Sequence, residues 1–138
     1  MDPKRFVTGT VVGAVVLYIV GYAIFTVAVA SFYAANAGSA TGVEKPELYW
    51  ATMLASLSYA ALIVYAMGNR GAVDLGTGAK VGAIVGFLLW CTADFVFYGT
   101  TNVANLTRTV VDPLLEIVHG GIAGAAIASV LSRASSRG

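Results

Sequence analysis

The stretch TGAKVGAIVGFLLWCTADFVFY, Thr77 to Tyr98, carries only two charged side chains, Lys80 and Asp94, and no proline. As a helix rising about 1.5 Å per residue it is about 33 Å long, enough to cross the ~30 Å hydrocarbon layer of a bilayer. Lipid offers no water to a backbone, so such a segment must close its hydrogen bonds on itself as a helix. Gly78, Gly82 and Gly86 recur every fourth residue within it. That spacing lines one helix face with residues that let another backbone approach closely.

Three further apolar blocks surround this one, at about 6–34, 48–67 and 110–131, which with 77–98 predicts four spans. The connections carry breakers: Asn36-Ala37-Gly38-Ser39 with Pro46, Gly68 through Gly76, and Gly99 through Thr109. Connections this short make sequential helices antiparallel neighbours. The fourth helix is expected to start at Pro113, with Asp112 as its cap. Gly9 with Gly13, and Gly120 with Gly124, repeat the close-approach spacing. The expected fold is an all-α integral membrane four-helix bundle forming one domain over residues 1–138.

Composition agrees with this reading. Apolar residues make up 58% of the chain and charged residues 11%, against about half and a quarter in soluble domains. A net charge of +1 gives no basic field for nucleic acid. Phe6 to Ala34 starts like a signal peptide and runs into Ala35-Asn36-Ala37, but it far exceeds an h-region of about 7–15 residues, so a retained helix is expected. Cys91 stands alone in an apolar run and reads as a core residue. Asn105-Leu106-Thr107 matches a glycosylation sequon squeezed between two helices and is expected to be unmodified.

Lys4, Arg5, Arg70, Lys80, Arg133 and Arg137 fall on one side of the four spans, Lys45 and Arg108 on the other. Short loops rich in Lys and Arg are retained in the cytoplasm, which predicts cytoplasmic N- and C-termini. Tyr49, Trp50 and Tyr98 then lie at the opposite boundary as interfacial anchors.

Ionisable groups within spans are costly, about 2.5–3.5 kcal/mol each, so Asp94, Glu116 and His119 call for a reason. Asp94 shares a stripe with Cys91 and Tyr98, and Glu116 and His119 share one with Asp112. If the fourth helix begins at Pro113, the three groups come within a turn of one level, toward the extracytoplasmic face. The predicted site is an outward-facing polar pocket of Asp94, Tyr98, Glu116 and His119, its entrance shaped by Asn102 and Asn105, with Ser31, Tyr33, Thr52 and Ser56 nearby.

Three chemistries suit that cluster. The groups can satisfy one another and stitch the hairpin. They can bind or pass a proton, since carboxylates beside an imidazole exchange protons near neutrality. Glu116-Ile117-Val118-His119 also has the Glu-x-x-His spacing of di-iron bundles, which would make Asp94, Glu116 and His119 metal ligands, though such sites use two copies and a dimer would be needed. A lone His119 supports haem less well, and no cofactor is required by the sequence. No nucleophile elbow, P-loop, dinucleotide fingerprint or HExxH is present.

Tyr98-Gly99-Thr100-Thr101-Asn102-Val103-Ala104-Asn105-Leu106, followed by Pro113-Leu114, resembles a family of small uncharacterised bacterial inner-membrane proteins catalogued as a domain of unknown function. Phe32-Tyr33 with Gly38, and Pro46 leading into Trp50 and Tyr59, extend the likeness over most of the chain. The resemblance implies a four-helix bacterial inner-membrane protein and carries over Tyr98, Asn102, Asn105 and Pro113 by position. It also marks departures. Asn102 replaces the family's usual aspartate and Asp112 its tryptophan, while acidic positions of its first and last helices fall near Gly21 and at Gly120. Glu116 and His119 are not family features.

The functional expectation is small-solute or proton-linked binding or transport in the polar pocket, with the lipid bilayer as surroundings. The alternative is a non-catalytic subunit that forms a homo-oligomer or joins a larger complex through its glycine ridges, Gly78, Gly82 and Gly86 or Gly120 and Gly124. An enzyme is the least favoured class.

Overall fold

The computed structural model describes residues 2–43, 45–68 and 73–135, the side chains of 133–135 excepted. The chain is an all-α, multi-pass membrane protein with four helical spans. Arg70 and Arg137, and the side chain of Arg133, which enter the orientation argument, lie outside the described residues and side chains.

Helix α1 (Pro3–Gly21) is capped by Asp2, whose carboxylate accepts the N–H groups of Lys4 and Arg5 at 3.2 and 3.3 Å, with proline in the first turn where it loses no bond. The first span does not run as one α-helix to residue 34, as its apolarity predicts. It widens into a π-helical segment over Tyr22–Ala28, breaks at Val29 (φ −113°, ψ 12°), and resumes as the short α2 (Ala30–Ala35). Sustained π-helical geometry is rare and concentrates at functional sites.

Helix α3 (Tyr49–Met67) ends at Gly68, whose φ of +70° suits a residue without a Cβ. Helix α4 (Leu75–Thr100) is capped by Asp74, which accepts the Thr77 N–H at 2.9 Å and the Thr77 hydroxyl at 2.6 Å. Those bonds, the hydroxyl's first, hold the Asp74 carboxyl below its ordinary value of 3.8. A folded-state value below the unfolded one adds stability at pH above 3.8 and loses it as pH falls through the lowered value. Asp74→Ala is therefore expected to melt below the wild type at pH 7, and a series of melts at decreasing pH should bring the two curves together.

Helix α5 (Leu106–Ser135) corrects the expected start at Pro113. Asn105, not Asp112, caps it, accepting the Arg108 N–H at 3.0 Å. Pro113 lies inside the helix, fully buried. An early cap is the stronger local signal, and proline is tolerated within a membrane helix when neighbours satisfy the freed carbonyl.

Helix α1 lies between α3 and α5, α5 lies between α1 and α4, and α3 meets α4 weakly. Sequential pairing thus holds for spans one and two and for three and four, while the middle pair is nearly apart. Small residues explain this order, because association in lipid relies on close van der Waals packing. A Cβ on Gly13 would strike Ile127 of α5 at 2.6 Å and Ala60 of α3 at 3.0 Å, and one on Gly82 would strike the Gly120 carbonyl. The dry core, with Leu17, Ala60, Ile63, Val64, Met67, Ala123, Ile127 and Leu131, fills the half of the bundle that holds both termini. Val7, Val11, Val15 and Ile19 form an exposed apolar stripe on α1 that faces lipid.

At the opposite end, two connections zip together. Gly38 N–H donates to the Val103 carbonyl and Ala40 N–H to that of Asn102, both at 2.9 Å, and Asn105 N–H donates to the Asn36 carbonyl at 3.2 Å. A Cβ on Gly38 would collide with the Asn102 carbonyl, so this close approach requires glycine.

Candidate functional site

Glu116 and His119 are 2% and 7% exposed, at the boundary between the dry half and the open half of the bundle. They lie three residues apart on α5 and pair through His119 Nδ1 and Glu116 Oε2 at 2.9 Å. The Tyr59 hydroxyl, from α3, donates to the same Oε2 at 3.2 Å. His119 Nε2 lies 2.9 Å from the Leu17 carbonyl of α1. A carbonyl only accepts, so Nε2 carries a hydrogen. One proton then remains for the Nδ1···Oε2 contact, held by imidazolium or by carboxylic acid. The ring reaches α1 because a glycine stands there: a Cβ on Gly21 would lie 3.2 Å from Nε2.

Above this pair is a cavity of about 620 Å³, lined by α5, the π-helical segment, α2 and Trp90 of α4. Arg108, Asp112 and Glu116 follow at four-residue intervals on one stripe of α5, stepping inward by about 6 Å each from the mouth. Phe25, Tyr33 and Trp90 supply aromatic walls. The π segment and the break at Val29 place this side: Phe25 meets His119 edge-on with centroids 5.5 Å apart and stacks on Tyr33 at 6.0 Å. The Tyr33 hydroxyl donates to Asp112 Oδ1, and the Arg108 guanidinium stands 4.4 Å over the Tyr33 ring.

The predicted residues divide sharply. Glu116 and His119 meet and line the cavity with Asp112. Among the described residues Asp94 joins neither by a hydrogen bond, and its Oδ2 is buried without a partner, as is Trp90 Nε1 one turn earlier. The glycine register explains the separation. Gly86 packs on the Glu116 carbonyl, so stepping eight residues up α4 to Asp94 matches stepping eight back along α5, to Arg108. Asp94 therefore sits about two turns nearer the mouth than a helix starting at Pro113 would place it. Tyr98 lies beyond it and is 43% exposed.

Asn102 offers its carbonyl to Ala40, and Asn105 bonds Asn36 Oδ1 at 3.1 Å besides capping α5. Both belong to the zipped connections. Of the four extra residues expected from the first two spans, Tyr33 lines the cavity and Ser31, Thr52 and Ser56 do not. Thr52 bonds Glu47 at 2.7 Å, and Ser56 bonds the Thr52 carbonyl.

Phe25, Thr26, Ala30, Ala34, Trp90 and Arg108 line the cavity without having been singled out as site residues. Arg108 was within reach of sequence reasoning, since it continues the Asp112–Glu116 stripe once Asn105 is taken as the cap. The π segment leaves no such mark in its apolar residues.

Both His119 nitrogens are engaged, so the Glu-x-x-His spacing serves a hydrogen bond here. Among the described residues, no three His, Cys, Asp or Glu side chains are grouped to hold a metal ion. The glycine ridges close within the chain: Gly78, Gly82 and Gly86 are buried, and Gly78 and Gly82 pack on Gly124 and Gly120.

No protein family, curated protein or solved structure matches this chain. The cavity's own chemistry carries the functional argument.

Proposed function

We propose that this small membrane protein binds a small solute in the aromatic and charged cavity and exchanges a proton there through Glu116 and His119. The observation that carries the reading is a buried carboxyl–imidazole pair, 2.9 Å apart, forming the floor of a 620 Å³ cavity within a membrane-spanning bundle. Intramembrane ionisable groups facing a cavity mark binding or proton-relay sites, and cavities of about 300–1,000 Å³ suit small ligands. The excess of Lys and Arg on the side of both termini supports a cytoplasmic location for them, with the cavity opening outward. The resemblance to small bacterial inner-membrane proteins supports that membrane as the location.

Beneath the pair, Ile63, Val64, Ile127 and Leu131 are buried in the apolar core. In this arrangement the proton exchanges toward the mouth, and transport requires the dry half to open. The alternative of an oligomerising subunit docked through its glycine ridges has less support, because helices of the same chain occupy them.

Infrared difference spectra of the protein in nanodiscs, taken across a pH titration, test the reading. A carboxyl C=O band should titrate in the wild type, vanish in Glu116→Gln and shift in His119→Ala. Superimposable wild-type and Glu116→Gln spectra would rule out proton exchange at this pair.

A further inference from the structure

The proposed solute-binding reading leaves the ligand's chemistry open, and the cavity's hydrogen bonds narrow it. Each carboxylate on its wall already has a donor: Asp112 takes the Tyr33 hydroxyl, and Glu116 takes Tyr59 and His119. The guanidinium on the wall has no acceptor among the described residues. Arg108 has no carboxylate within 4 Å among the described residues and lies over the face of Tyr33, leaving its planar N–H fork free. Asp94, level with it on α4, is in electrostatic range but forms no ion pair with it. Trp90 adds an aromatic wall to the cavity, its indole N–H buried without a partner among the described residues. Resting on that reading, we infer that the cavity takes a small flat solute bearing an oxyanion, with a carboxylate seated on Arg108 at the mouth and the body between Phe25, Tyr33 and Trp90.

Geometry and charge both favour this. A guanidinium fork matches a carboxylate with two parallel hydrogen bonds and is less strongly hydrated than an ammonium. The flat aromatic walls suit a planar body. The charged and titratable groups facing Arg108 and the floor are Asp112, Glu116 and His119 of α5, Asp94 of α4, Tyr33 of α2 and Tyr59 of α3. Two aspartates against one arginine make the site net negative, so an anion enters best accompanied by a proton. The Glu116–His119 pair can accept that proton while keeping its bonds to Tyr59 and Leu17. Uptake of one proton per carboxylate leaves the cavity's charge unchanged.

Three probes of nearly one shape, benzoate, benzylammonium and benzyl alcohol, separate the possibilities by calorimetry on the full chain in phosphatidylcholine nanodiscs. Benzoate should bind at least about tenfold more tightly than the other two, a preference of about 1.4 kcal/mol. Arg108→Gln should erase that preference. A preference for benzylammonium, equal affinity for benzyl alcohol, or an Arg108→Gln protein that melts like the wild type yet still prefers benzoate would overturn the proposal. Competition by added phosphatidylglycerol would transfer the site to a lipid headgroup and overturn the soluble ligand.

Titrations in two buffers of different ionisation heat read proton uptake separately. Benzoate binding without proton uptake, unaffected by Glu116→Gln, would leave the anion site standing and remove the proton-exchange reading. A titrating Glu116 with no benzoate preference would do the reverse.

Discussion

Gly82→Leu is expected to prevent α4 and α5 from assembling, with the protein recovered as a non-native species and no thermal transition in detergent. At this crossing the interface leaves no space for a side chain: a Cβ on Gly82 would overlap the Gly120 carbonyl and lie 3.0 Å from Gly124 Cα, and a Cβ on Gly120 would overlap the Gly82 carbonyl. Backbone cannot yield as a flexible side chain does, and overpacking costs about 1–3 kcal/mol even where side chains can move. Gly82→Ala should already lower stability by about 2 kcal/mol or more. Gly99 is the matched control, since a Cβ there meets nothing within 4 Å. Gly99→Ala should melt as the wild type does, and reversible unfolding in mixed micelles checks both. Equal losses at the two glycines would refute the close-packing account of α4 on α5.

Glu116→Ala is expected to cost about 3 kcal/mol or more in the same assay. A typical interhelical polar contact in a membrane contributes about 0.6 kcal/mol and rarely above 1.7, so a contact energy alone does not reach that figure. The larger effect comes from what remains. Removing the carboxylate leaves the Tyr59 hydroxyl without its acceptor and His119 Nδ1 without its partner, and each buried unsatisfied group costs about 1–3 kcal/mol. Glu116→Gln keeps an acceptor and should lose much less. A cycle of Glu116→Ala and His119→Ala should show coupling of about 1–2 kcal/mol. Additive losses would mean that the two side chains do not act as a unit.

Four spans, glycine spacing and the Asp112–Glu116–His119 stripe were legible because each is a property of one segment: hydropathy summed along the chain, or residues three and four apart on one helix. The pairing of Glu116 with His119 follows from their spacing. Their partners do not, since Tyr59 and the Leu17 carbonyl are 57 and 102 positions away from the groups they bond. Asp94 shows how one misread helix start propagates. Capping by Asn105 rather than Asp112 begins α5 about two turns earlier, and Asp94 then meets the level of Arg108 instead of Glu116.

The sequence by itself determined a membrane-spanning helical bundle, because a backbone in lipid has few ways to satisfy its hydrogen bonds, and apolar length announces them. Only the tertiary structure decided what the polar residues face. Interhelical register is set where two glycine backbones touch, and the π-helical turn carries Phe25 against the His119 ring of a helix distant in sequence. Neither is encoded in the hydropathy of a single segment.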